Sequence, residues 1–439
     1  MTRSLPFTTR RSALAVGGLA AAAAGLAACS SGGDSGSSDG GGTSIDLEER
    51  GPITLARGKD TTGALADFLS RWNDDHPDEQ VTLIELPESA DDQRSQFISN
   101  AQAKSDSYTV LGLDVVWTAE FAANQWVVAL PEDTFDLDAL IPATVTTGTY
   151  FDKLYAVPFT TNAQLLFSRK DLLEEAGYDQ PPATFEEMWE IVAKVQEKHP
   201  EINGFGSQYA KYEGLTCQLT DVVASAGGEI FDAEGAPHAD SAEATTALQT
   251  LRDGFDQGHI PQEALTYKEE ESRQAFQDGK LIFLQNWPYV WDHFQNDDGS
   301  SQVVDKVQVS LVPAVAGEGT STIGGANFAI SAFAKNKGTA VDFIAFMTAA
   351  EQQKAWMIET ATPTATAAVY EDAEVAKTFE FLDTLKSAID KGVSRPQVVK
   401  YGDVTQAIQE AAYSCISGEA EAADALAQLQ EQLTGLVEG

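Results

Sequence analysis

The chain is predicted to be an α/β protein of two domains, on two observations. Near its start, short apolar runs suited to strands alternate with stretches whose apolar residues recur at helical spacing, an order that builds a parallel sheet covered by helices. The part with a globular composition, from about Ile45 to Gly439, also exceeds the usual size of one hydrophobic core.

The elements follow in order. Ile53-Thr54-Leu55-Ala56 reads as a strand, and residues 62–75 then place Leu65, Phe68, Leu69 and Trp72 on one helical face. Val81–Leu86 is a second strand, and residues 91–104 carry Phe97, Ile98 and Ala101 as a second helical stripe. Leu113–Trp117 is a third apolar run. Leu154–Phe159 reads as a strand bordered by Pro158, followed by Leu165–Ser168. After Pro181-Pro182, Thr184-Phe185-Glu186-Glu187 forms a capping box that opens a helix with Phe185, Met188, Trp189, Val192 and Val195 as its core stripe. Residues 240–257, 269–279, 337–358 and 403–433 also read as helices, with no internal repeat.

The first 44 residues stand apart from this pattern. Thr9-Arg10-Arg11-Ser12, the apolar run Ala13–Ala28 and the small residues before Cys29 are the three parts of a secretory signal. Leu26-Ala27-Ala28-Cys29 matches the bacterial lipobox, so 1–28 is expected to be a lipoprotein signal peptide, with Cys29 carrying a diacylglyceryl anchor. The apolar run is shorter than the ~20 residues a spanning helix needs. Arg10-Arg11 points to twin-arginine export, and a Sec signal accommodates the pair equally. Residues 29–44, rich in Ser and Gly, read as a flexible tether. The mature protein is therefore expected outside the cytoplasm, held to the membrane by lipid alone.

Composition narrows the partners. Against 28 Lys+Arg stand 67 Asp+Glu, a net charge of −39, which repels nucleic acid and anionic headgroups. The five His, at 76, 199, 238, 259 and 293, lack metal-ligand spacing, and no phosphate-binding loop occurs, so neither a metal nor a cofactor is expected. Cys217 and Cys415 suit either one disulfide or two buried thiols.

Seven separated blocks then resemble the sugar-binding lipoproteins of bacterial ABC importers, the extracellular solute-binding protein family 1. They are Leu113-Asp114-Val115-Val116-Trp117-Thr118-Ala119-Glu120-Phe121; Leu154-Tyr155-Ala156-Val157-Pro158 with Thr161-Asn162; Ser225-Ala226-Gly227-Gly228; Arg273-Gln274-Ala275-Phe276 with Gly279-Lys280; Asn286-Trp287-Pro288-Tyr289; Ile323-Gly324-Gly325-Ala326-Asn327; and Arg395-Pro396. Within the family the first and fifth blocks are most similar to the trehalose and trehalose/maltose binders. The resemblance implies a periplasmic-binding-protein-like fold of two lobes, each a parallel-rich sheet flanked by helices, with a hinge between them. Carried over, lobe one is 45–160 plus 312–365, and lobe two is 161–311 plus 366–439.

The candidate ligand residues combine that resemblance with local chemistry. Sugars are gripped by carboxylates, amides and guanidinium groups on their hydroxyls and by aromatic rings on their C–H faces. Asp60 follows the first strand, at the end where open α/β sheets bind ligands, and equally suits a helix N-cap. Asp114 interrupts an apolar run, where a carboxylate is costly unless paired. Trp117 reads as core. The resemblance adds Gln93 at the second helix, Asn162 at the lobe crossing, and one glutamate of the run 269–271, Glu269 or else Glu270. It also adds Trp287 and Tyr289 as rings presented around Pro288, Gly325 and Ala326 as close backbone, and Arg395, for which an inter-lobe salt bridge is the alternative role.

The expected function is binding of trehalose or a close α-linked disaccharide between the lobes. A monomer would then deliver it to permease subunits with their cytoplasmic ATPase. Maltose or other oligosaccharides are the alternative ligands. A glycoside hydrolase, needing two carboxyls across the scissile bond, is the remote alternative, and no catalytic residue is assigned.

Overall fold

Two sheets organise the computed structural model of the chain, which describes residues 45–232 and 235–438. The signal segment 1–28, Cys29 and the tether 29–44 lie outside the described residues. The strands are β1 (Ile53–Gly58), β2 (Val81–Leu86), β3 (Val110–Asp114), β4 (Thr149–Tyr150), β5 (Lys153–Leu154), β6 (Ala156–Ala163), β7 (Leu165–Arg169), β8 (Asn203–Gly206), β9 (Leu281–Asn286), β10 (Val307–Ser310) and β11 (Ile323–Ile330).

The first sheet has the order β2-β1-β3-β11-β6. Strands β1, β2 and β3 are parallel, as the strand–helix alternation predicts, and the helices Leu65–Asp75 and Ala90–Gln102 make the crossovers. Leu65, Phe68, Leu69 and Trp72 bury the stripe of the first helix. β11 pairs antiparallel with both β3 and β6, so it alone runs against β1, β2, β3 and β6, and the sheet is mixed yet rich in strands of one direction. The second sheet, β10-β7-β9-β8, is also mixed, with β7 running against β8, β9 and β10. Two of its three pairings are antiparallel, which the local periodicity does not distinguish from parallel ones.

The molecule is two-lobed because the chain changes sheets. Gln164 alone separates β6 of the first sheet from β7 of the second. The chain returns between β10 and β11, and the helices Lys337–Thr348 and Ala350–Thr360 then place Phe343, Met347 and Trp356 in the core of the first sheet. The C-terminal helices Tyr401–Ile416 and Ala422–Glu438 join the core of the second, beside Glu213–Ser225 and Ala242–Asp256.

Two stretches expected as single helices are each two. Ala349, extended at ψ 142°, breaks 337–360, and Gly418, at φ +90°, lies in the break before Ala422. The Thr184 cap is present, its side chain accepting from Glu187 N at 3.2 Å, but Glu187 reaches Ala183 N at 2.8 Å rather than closing the box on Thr184. Cys217 and Cys415 are free and buried, and burial pushes both thiols up, Cys415 to about 11. Among the described residues no helix is long and apolar enough to cross a membrane.

Candidate binding cleft

The carboxyl ends of the parallel strands β1 and β3 lie along one edge of the first sheet, facing the second lobe. Between them is a cavity of about 260 Å³ lined from both lobes. Asp60, two residues past β1, lines it and sits in the loop before the next helix. Its Oδ1 accepts from Thr62 N (3.0 Å) and Thr62 Oγ1 (2.6 Å), and its Oδ2 from Leu65 N (3.0 Å). Asp60 is not the helix N-cap, a position held by Ala64, because the helix begins only at Leu65; its carboxylate instead accepts from the first helical N–H while lining the cavity.

Asp114, the last residue of β3, escapes the penalty of an unpaired carboxylate through Arg395. Arg395 Nη2 donates to its Oδ1 at 2.7 Å and Nη1 to its Oδ2 at 3.3 Å. Arg395 is 2% exposed, and its Nη1 also donates to Glu213, at the start of the helix Glu213–Ser225. Burial works against the guanidinium's charge, but Asp114 and Glu213 push its pKa further up. Burial drives Glu213 upward against the pull of Arg395. Arg395 Nε is buried and has no protein partner.

On the far side, β11 passes β6 with Gly324 opposite Asn162 and Gly325 opposite Thr161. A Cβ at Gly324 would lie 2.6 Å from Asn162 Oδ1 and 2.7 Å from the Trp287 ring, so the glycine lets these two side chains converge. Gly325, at φ +137°, would bring a Cβ to 2.2 Å from the Thr160 carbonyl, a conformation and an approach that require glycine. Asn162 Oδ1 is buried without a protein partner. Trp287 follows β9 directly, its N–H fixed on Asn286 Oδ1 at 2.7 Å, and Tyr289 stands two residues on. Both rings are half-buried and line the cavity.

The acidic run divides. Glu269 lines the cavity, half-buried, and burial raises its carboxyl to about 7. Glu270 does not line it. Its carboxylate accepts from Tyr289 OH at 2.6 Å and Arg273 Nε at 2.8 Å, which holds the Tyr289 ring in place. Gln93 and Ala326 also fall outside the lining. Gln93 Nε2 donates to the Glu88 carbonyl at 3.0 Å with its amide packed on Gly58. Ala326 pairs with Asp114 and Thr160 within the sheet, and its N–H is held by Thr160 Oγ1 at 3.0 Å.

Arg57, Glu213 and Trp356 are among the lining residues that sequence reasoning missed. Arg57 lies 5.7 Å over the Trp356 ring, and its Nη1 is buried without a protein partner. A basic residue in the strand Ile-Thr-Leu-Ala-Arg-Gly was the available signal for it. Glu213 reads only as a first-turn acid suited to the helix dipole. Among the described residues, no three or more His, Cys, Asp or Glu side chains are placed to share a metal ion. The cleft thus offers fixed donors, fixed acceptors and aromatic faces, the equipment for holding a polyhydroxylated molecule.

Comparison with known proteins places this architecture. Residues 58–354 match the family described as bacterial extracellular solute-binding protein. A probable ABC transporter-binding protein of Deinococcus radiodurans is 31% identical over 362 residues, covering 80% of this chain and 86% of the relative. Maltose-bound MalE3 of T. maritima superposes with a TM-score of 0.84 at 32% identity, over 88% of this chain and 99% of that one. The GacH receptor of Streptomyces glaucescens shares the fold, with a TM-score of 0.80 at 22% identity over 89% and 99% of the two chains.

Proposed function

We infer the function from one premise: the chain belongs to the bacterial extracellular solute-binding protein family. On that premise it is the substrate-binding lipoprotein of an ABC sugar importer, taking up trehalose or a close α-linked disaccharide and handing it to permease subunits whose ATPase lies in the cytoplasm. The observation that carries this reading is a set of buried polar atoms without protein partners. Arg57 Nη1, Asn162 Oδ1 and Arg395 Nε all belong to residues around one cavity, beside the Trp287 ring. Sugar hydroxyls both donate and accept, so they satisfy such a mixed set, and the ring covers a C–H face. A volume near the lower end of ligand sites, roughly 300–1,000 Å³, suits a short sugar better than a long glucan.

Asp60, Asp114, Asn162, Glu269, Trp287, Tyr289, Gly325 and Arg395 form the contact set, with Arg57 added. Binding proceeds by lobe closure. Contacts made by both lobes exist only when the cleft is shut, so the ligand shifts the open–closed equilibrium by that difference in affinity. Lobe one comprises 45–160 plus 312–365, lobe two 161–311 plus 366–439, and the anchor is lipid on Cys29. The protein acts as a monomer that binds without catalysis. Maltose is the second reading, favoured by the maltose-bound relative.

Calorimetry against trehalose, maltose and glucose tests this. Saturable heat with trehalose is expected, weakened about 10- to 100-fold by Asp114→Ala or Trp287→Ala, the range for hydrogen bonds to charged groups and for ring contacts. Heat with maltose alone moves the assignment to the second reading. No heat with any sugar removes the cleft as a sugar site, and glucose released in proportion to protein turns the reading to hydrolysis.

A further inference from the structure

We propose that Glu213 is a positioning residue: it holds Arg395 as a bridge between the lobes, and that bridge both presents Asp114 to the ligand and holds the ligand-free cleft partly shut. This rests on the cleft being the sugar site.

Glu213 is itself fixed. Its Oε1 accepts from Tyr401 OH as well as from Arg395 Nη1, and its Oε2 accepts from Thr405 Oγ1 at 2.7 Å. Tyr401 and Thr405 lie on the C-terminal helix Tyr401–Ile416, which packs on the helix Glu213–Ser225 within the second lobe. Asp114 ends a strand of the first sheet. One guanidinium therefore joins a carboxylate of each lobe.

The Arg395 backbone is anchored nearby. Two residues earlier, Val393 donates to the Ser321 carbonyl at 3.0 Å and accepts from Ile323 N at 2.8 Å, beside the start of β11. With both ends of its fork engaged, Arg395 keeps Nε as the one nitrogen left without a protein partner. Glu213 thus decides which face of the guanidinium is left for a ligand. A buried guanidinium deprived of one carboxylate turns wholly toward the other, so losing Glu213 both cuts the bridge and changes how Asp114 is presented.

The test compares wild type, Glu213→Gln and Arg395→Lys by small-angle X-ray scattering without sugar and at saturating trehalose or maltose, with calorimetric affinities alongside. The lysine keeps the charge but cannot fork between two carboxylates. Both variants are expected to have a larger ligand-free radius of gyration than wild type, to return to the wild-type value with sugar, and to bind about tenfold more weakly because the competent state is less populated. An unchanged ligand-free radius in a cooperatively melting Glu213→Gln protein overturns the proposal. If that variant does not melt cooperatively, the radius of Arg395→Lys decides in the same way. If wild type binds no sugar, the functional reading fails, while the ligand-free radii still decide whether the bridge exists.

Discussion

Glu269 and Asp114 line one cleft in different surroundings. Asp114 has a guanidinium in contact, whereas Glu269 sits in the first turn of its helix under burial that raises it to about 7. A carboxyl raised in the folded state binds its proton more tightly there than in the unfolded chain. Its ionisation therefore erodes stability as pH climbs from the ordinary carboxylate range to about 7, and the penalty is complete above that. Glu269→Gln should raise the melting temperature relative to wild type at pH 8, with the gain shrinking toward nothing by pH 4. Scanning calorimetry across that range checks it, and a gain independent of pH would count against a buried ionisation. Asp114 could be read in advance, because a lone acid in an apolar run demands a partner. The partner Glu213 could not, because its role depends on a residue far along the chain, and an acid in a helical first turn is unremarkable by itself.

At the scale of elements, the parallel β1, β2 and β3 with their helices were legible because each unit is local and its apolar spacing is regular. The insertion of β11 between β3 and β6 was not. It brings Ala326 beside Asp114 from more than two hundred residues away, a pairing that no local pattern encodes. Gly325 and Ala326 both pair with β6 in this inserted strand, and of the two only Gly325 lines the cavity. Gly325→Ala should cost about 1–3 kcal/mol for the disfavoured φ alone, and more for the approach to the Thr160 carbonyl. Denaturant unfolding measures this, and an unchanged midpoint would mean that the β6–β11 crossing relaxes freely.

For the whole molecule the dominant fact is charge. A net −39 spread over one chain repels itself, and dissolved ions relieve that repulsion as the Debye length shrinks from about 10 Å at 0.1 M to about 3 Å at 1 M. The melting temperature should rise by a few degrees over that range in sodium chloride. A fall would show that ion pairs such as Arg50–Glu79 and Arg71–Glu359 outweigh the general repulsion.

The threading of the chain through both lobes also bears on the order in which they mature during synthesis. The core that holds Phe68, Trp72, Phe343 and Trp356 draws on no residue beyond Ala365, and the other core on the first sheet adds only Tyr401 from the start of the C-terminal helices. The core around the second sheet includes Val404, Ile408, Leu426, Leu429 and Leu433, almost the last residues to leave the ribosome. One half of the molecule can consolidate early, while the other waits with an apolar wall uncovered until translation is nearly over. A nascent chain stalled near residue 400 would therefore present a largely supplied half beside one that invites a chaperone.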